Sequence, residues 1–246
     1  MPTVAVLSIA LVLLFLVAVG AGLAVLALRR SNPSERKGQA GERTVRQLLA
    51  RLEPARYTVF HSLYLPARTQ GHTTELDHVV VSAHGIFVIE TKNYSGLIVG
   101  SRGDRYWTVT YPGGARRQID SPIRQNRGHV SALARFLRVD ESVITSLVVL
   151  VGSARMGSDP GPEVVSREQL LHRNEAQADE VAAPAVVAAW CDKLRGHRAA
   201  MAGSGVEMHH KTQVHLQQAK RDNRRYAAQR RRRLEQESRS RWPGMG

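Results

Sequence analysis

The pattern of apolar and polar positions opens on an unbroken apolar run. Residues 4–28 carry no charge, and Ser8 is their only clearly polar side chain. Twenty-five residues of helix rise about 37 Å, enough to cross a hydrocarbon core of about 30 Å. A helix also satisfies its own backbone hydrogen bonds, which lipid cannot do. A secretory signal would want a basic leader and an apolar stretch of only about 7–15 residues, and a core helix is rarely apolar all round for this length. The run therefore predicts one transmembrane helix. Further along, Val45, Leu48, Leu49 and Leu52 recur at helical spacing and predict an amphipathic helix over 39–52. Residues 57–65 read as a strand, and 76–82 and 86–91 as two strands joined by the turn Ala83-His84-Gly85, a tight hairpin. Short strands follow at 97–99 and 106–110, separated by turns. Ser121-Pro122 starts a helix, Ser as cap and Pro in the first turn, with Ile123, Val130, Leu133, Ala134 and Leu137 on its apolar face. Residues 146–151 form the continuous apolar run of a strand buried on both faces. Ser166-Arg167-Glu168-Gln169 is a capping box opening a short helix, and a last amphipathic helix covers 180–194. The sum is a mixed α/β sandwich with helices against a sheet.

Charge sharpens this outline. The chain has 246 residues and a formal net charge of +14, a surplus that suits polyanionic partners such as nucleic acid or anionic headgroups. Between Lys211 and Arg241 stand eleven basic and three acidic residues, a net of +8, leaving +6 for everything before them. Residues 206–241 lack a hydrophobic stripe and predict a solvated helix or none. The Arg230–Arg233 run has three readings: it binds nucleic-acid backbone by counterion release, docks on anionic lipid, or is simply solvated. Arg29, Arg30, Arg36 and Lys37 follow the apolar run at once, while only the α-amino group precedes it. The positive-inside bias then puts the N-terminus outside and the domain in the cytoplasm. Cys191 is the single cysteine, which excludes an internal disulfide and a cysteine-based zinc site.

Candidate chemistry sits on the hairpin. Strand side chains alternate, so Glu90 and Lys92 share a face, and the turn can bring Asp77 opposite them. Two converging carboxylates make a hard oxygen site for Mg2+ or Mn2+. A neighbouring lysine can position or deprotonate a water and offset charge in phosphoryl transfer. The simpler reading is a Glu90–Lys92 ion pair at a strand end. Against it stands the apolar run Phe87-Val88-Ile89, after which a charge is costly without a ligand or partner. His78 alternates to the other face and reads as packed or hydrogen-bonded. His61, His72, His84 and His129 have no metal-like spacing, His209-His210 lies in the polar tail, and none is assigned chemistry. Cys191, after Trp190, reads as core.

Several stretches together carry a family likeness. Gly41-Glu42, the Leu76–Val81 run LDHVVV, the Gly85–Gly96 run GIFVIETKNYSG, Trp107 and Ser121-Pro122-Ile123-Arg124-Gln125-Asn126 resemble the nuclease-related domain over about residues 38–150. The resemblance implies a restriction-endonuclease-like core. It makes Asp77 and Glu90 the metal carboxylates and Lys92 the catalytic lysine. Glu42 matches the family's first-helix glutamate and Gln125 the polar residue of its later helix. By themselves, Glu42 is a first-turn carboxylate favoured by the helix dipole and Gln125 an ordinary first-turn residue. Ser121-Pro122 replaces the family's usual Asn-Pro, and Ser caps a helix equally well.

The expected organisation is an anchor at 1–30, a juxtamembrane linker at 31–38, the nuclease-related domain at 39–150, an α/β extension of it at 151–200 and a basic tail at 201–246. The expected function is a membrane-anchored Mg2+-dependent nuclease acting on DNA or RNA. The alternative is a non-catalytic nucleic-acid-binding or scaffold module of the same fold. A third reading is a lipid-bound tether with the domain as passenger. The bilayer, met through residues 4–28, and anionic lipid at the tail are the other expected partners.

Overall fold

The computed structural model describes residues 33–69, 71–175, 179–202 and 205. The apolar run at 4–28 and the basic tail from residue 206 lie outside the described residues, and with them the expected spanning helix and the solvated tail. No helix among the described residues is long and apolar enough to cross a membrane.

In chain order the elements are α1 (Pro33–Leu49), β1 (Thr58–Pro66), β2 (Thr73–Ser82), β3 (Gly85–Lys92), β4 (Leu97–Val99), β5 (Tyr106–Thr110) and β6 (Arg116–Asp120). Then come α2 (Pro122–Leu137), a 3-10 turn at Glu141–Val143, β7 (Ile144–Leu150), β8 (Arg155–Met156), β9 (Val164–Ser166), α3 (Arg167–Glu175) and α4 (Pro184–Met201). They build a mixed α/β fold with two sheets flanked by helices. One sheet has the order β1-β2-β3-β7-β9, the other β6-β5-β4-β8.

The larger sheet positions everything that matters here. The β2–β3 hairpin closes with Ser82 opposite Gly85, so Ala83 and His84 alone make the loop. β7 then lies parallel to β3, with Glu90 aligned on Val148 and Lys92 on Leu150. A central strand covered on both faces must be apolar on both, and β3 is buried from Gly85 to Thr91. Its alternate side chains feed separate cores. Phe87 and Ile89 pack with Val45 and Leu49 of α1 and Leu170 of α3. Ile86 and Val88 pack on the other face with Val130 and Leu133 of α2 and Trp190, Cys191 and Leu194 of α4. Each such side chain contributes about 1.5–3 kcal/mol of burial. The smaller sheet buries Ile98, Trp107, Val109 and Ile119 against Ile123 of α2 and Val148 of β7.

Most expected elements stand where hydrophobic spacing put them, with shifted ends. α1 begins at Pro33, within the stretch 31–38 expected as a linker, because its first turns are solvated and carry no apolar stripe to mark them, and it ends at Leu49. α4 starts at Pro184, not near residue 180, and runs on to Met201 through mostly exposed residues. The helix after Ser121 has the expected cap, with Ser121 Oγ accepting from Arg124 N–H. The capping box is reciprocal: Ser166 N–H donates to Gln169 Oε1 at 2.9 Å, and Gln169 N–H donates to Ser166 Oγ at 3.4 Å. Three strands had no forecast: β6, β8 and β9.

Candidate active site

The C-terminal end of β3 is where the two faces of the sheet stop being purely apolar. Glu90 is 2% exposed. Extending the antiparallel register from His78–Ile89 by one step sets Asp77 across from Glu90. The Asp77 carboxylate is held from behind, its Oδ2 accepting from Thr91 N–H at 2.8 Å. Lys92 Nζ stands 2.5 Å from Glu90 Oε1 and donates to Gln125 Oε1 at 3.0 Å. Asp77, Glu90, Lys92 and Gln125, expected from the sequence, thus converge from β2, β3 and α2.

Helix α1 brings Glu42 to the same end of the sheet by a close approach. A Cβ at Gly41 would sit 2.9 Å from Asn93 Cβ and 3.3 Å from a Thr91 methyl, so only glycine lets the helix seat here. Two hydrogen bonds tie the seat: Asn93 Nδ2 donates to Lys37 O at 2.7 Å, and Lys37 Nζ donates to Ser95 Oγ at 3.0 Å. Glu42 follows Gly41 directly, and its charge reaches Asp77. Gly41→Val should therefore lift α1 from β3 and cost about 1–3 kcal/mol, the usual range for overpacking. Urea unfolding checks this; a loss under half a kilocalorie, small for any core overpacking, would place the helix elsewhere.

The electrostatics of the two facing carboxylates differ. Burial, then the Glu90 charge, raise Asp77 well above the ordinary aspartate range, against the pull of Lys92 and the Thr91 N–H. Burial alone would raise Glu90 too. The Lys92 ammonium, then His129, overcome it and hold Glu90 down at about 2. Lys92 feels the same contest: burial would lower it, but Glu90, Tyr94 and Asp77 keep it above the usual lysine value. Glu90 and Lys92 are thus both ionised at neutral pH, and Asp77 is the group opposed by a like charge.

His129 was assigned no chemistry by its sequence spacing, yet it belongs to this cluster. Its Nε2 lies 3.1 Å from Glu90 Oε2, and its Nδ1 lies 2.9 Å from Thr74 Oγ1. The Nε2 contact does not meet the geometry of a hydrogen bond, so the buried Oε2 has no hydrogen-bond donor aligned on it. The one available signal was that His129 stands four residues after Gln125, one helical turn along the same face. Asn126 lies on this part of α2 as well. Its Nδ2 is within 2.9 Å of Val88 O and 3.0 Å of Leu147 O, clipping α2 to the β3–β7 seam.

The other expectations fall away from the site. His78 is buried on the opposite face, its Nδ1 2.8 Å from His61 Nδ1. Burial, then His61, lower it to about 3, which keeps it neutral. Cys191 is a core residue beside Trp190. Among the described residues, no three His, Cys, Asp or Glu side chains gather into a cage for an ion.

Sequence comparison bears directly on this cluster. Residues 37–151 match the nuclease-related domain family, NERD. The matching stretch runs from within α1 to just past β7 and contains Glu42, Asp77, Glu90, Lys92, Gln125 and His129. An uncharacterized protein of Bacillus anthracis is 39% identical over 99 residues, which span 39% of this chain and 45% of that protein. The chain therefore covers less than half of this curated relative. No solved structure matches the chain.

Proposed function

We propose that the protein is a membrane-anchored nuclease that hydrolyses phosphodiester bonds of DNA or RNA with Mg2+ or Mn2+, through a restriction-endonuclease-like core. The observation that carries this reading is the convergence of Asp77, Glu90 and Lys92 at the end of β3, inside the span that matches the nuclease-related domain. The donors suit a hard cation. Two carboxylates face each other, Glu90 Oε2 is buried without an aligned donor, and Asp77 bears a repulsion that a cation would relieve. Mg2+ commonly takes one or two carboxylates and completes its shell with water and substrate oxygens, so a larger protein cage is not required. Asp77 and Glu90 would hold the ion, which when bound supplies Lewis-acid polarisation and an activated water.

The chain's own residues then have distinct tasks. Lys92 stays cationic beside Glu90, so it offsets charge building on the phosphate and orients the attacking water, and does not serve as a base. Gln125 accepts from Lys92 and fixes the direction of its ammonium. Glu42 adds a third carboxylate at the rim, to orient water or the outer cation shell. Net hydrolysis adds water across one P–O bond, leaving a phosphate monoester and a hydroxyl. Full-length protein in detergent, given labelled DNA and RNA, should cleave with Mg2+ or Mn2+ and stop with a chelator. Intact DNA and RNA under both cations would sink the proposal.

Residues 4–28 would anchor this domain at the cytoplasmic face, with the basic residues at 29–37 fixing orientation. A reporter fused after Gly246 should behave as cytoplasmic. An extracytoplasmic signal would overturn the anchor's assignment without touching the chemistry.

A further inference from the structure

We propose that His129 is a positioning residue for Glu90, held in place by Thr74. The proposal rests on the reading of Glu90 as a cation ligand. The two oxygens of Glu90 have different neighbours: Lys92 Nζ stands at Oε1, and His129 Nε2 at Oε2. Between them they restrain rotation of the carboxylate plane, which otherwise turns broadly about the last torsion of a glutamate. His129 is itself restrained at both ring nitrogens, and 6% of it is exposed.

The proton inventory orients the ring. An ionised carboxylate only accepts, so the nitrogen facing Glu90 must carry hydrogen. A threonine hydroxyl both donates and accepts, so Thr74 is satisfied whether Nδ1 is bare or protonated. In either state the hydrogen is carried on Nε2, the nitrogen that stands 3.1 Å from Glu90 Oε2, in an electrostatic contact not aligned as a hydrogen bond. Gln125 Nε2 lies 3.5 Å from the same nitrogen, the limit of a hydrogen bond, and cannot outweigh an ionised oxygen at 3.1 Å. The arrangement Thr74–His129–Glu90 spans β2, α2 and β3, so it also couples the seat of α2 to the direction of a ligand. Groups that orient a metal ligand from behind typically account for about 10–100-fold in metal affinity.

Isosteric replacements separate this role from simple packing. A glutamine Nε2 and a histidine Nε2 stand equally far from Cβ, whereas asparagine reaches only as far as Nδ1. Mn2+ binding to the full-length protein in detergent is measured by electron paramagnetic resonance for the parent, His129→Gln, His129→Asn, Thr74→Val and Glu90→Gln. His129→Asn should weaken Mn2+ about 10–100-fold, and His129→Gln should recover most of that loss. The metal-free melting temperatures of these two variants should agree, since packing alone distinguishes them little. Thr74→Val should fall between, and it reads the same contact if His129→Asn fails to fold. Equal Mn2+ affinity in parent and His129→Asn, with Glu90→Gln defective, overturns the positioning role and leaves the nuclease reading standing. A parent that binds no Mn2+ at all overturns both.

Discussion

Asp77→Asn should raise the melting temperature of the metal-free protein, Glu90→Gln should lower it, and both should reduce cleavage by a factor on the order of 10^2–10^3 or more. The opposite signs follow from the partners. Asp77 is raised by burial and by facing Glu90, so neutralising it removes a repulsion. Glu90 is paired to Lys92 at 2.5 Å, so neutralising it takes the paired counterion from an ammonium whose side chain is only 18% exposed. That loss should reach up to about 3 kcal/mol, the lower end for breaking a buried pair, because Gln125 still accepts from Lys92. The pH dependence separates the two further. A raised Asp77 favours the protonated folded state, so its contribution is present below the unfolded value of about 3.9 and is lost as pH rises through the folded value. Glu90, held at about 2, contributes stability above its unfolded value of about 4.3 that is lost as pH falls towards 2. In melts taken from acid to neutral pH without metal, Asp77→Asn should erase the first slope, and Glu90→Gln should erase the second and shrink the first, since the Glu90 charge is part of what raises Asp77. The simple ion-pair reading of the sequence accounts for Glu90 and Lys92 but gives Asp77 no task. An Asp77→Asn protein that melts no higher than its parent and still cuts nucleic acid would return the site to that simpler reading.

Trp107→Ala should cost about 3–5 kcal/mol, the range for emptying a large aromatic site, against a total stability of about 5–15 kcal/mol. Trp107 is fully buried, and its Nε1 donates to Ser101 O at 3.1 Å. It fills the seam between the smaller sheet and Ile123 and Val148. Ile123 lies in the first turn of α2, two residues before Gln125, so a cavity there loosens the helix that supplies Gln125 and His129. Trp107→Phe should recover most of the urea midpoint and, with it, cleavage. A loss under about 1 kcal/mol would mean that the smaller sheet is dispensable to the larger one.

How much of this was legible beforehand depended on whether burial leaves a pattern in the residues themselves. β3 is apolar from Ile86 to Ile89 and β7 from Leu147 to Leu150 because both faces are covered there, and the chain announces them. The hairpin turn was equally plain, and with it the facing of Asp77 and Glu90. β6, RRQID, buries only Ile119, and β9 is three residues long, so neither had enough buried positions to show a period. The division into two sheets was hidden for the same reason, since β4, β5, β6 and β8 are short and half exposed. His129 was hidden differently. Its meaning depends on Thr74 and Glu90, 55 and 39 positions away, and on which side of α2 meets the sheet. Spacing along a chain reports neighbours on one element, not meetings between three.

The alternation of β3 between the layers of α1 and α2 makes the protein a register gauge. Thr91 faces the α1 side, near Gly41, while Glu90 and Lys92 face α2. A slip of one residue against β2 or β7 exchanges the faces of every side chain. A slipped molecule would keep its circular dichroism and much of its apolar burial, yet it would point Glu90 into the layer of Val45 and Leu49 and strand Lys92 away from Gln125. Far-UV spectra would count such molecules as folded; titration of the proposed cation site would not. The ratio of the two signals after refolding is then a direct count of misregistered chains.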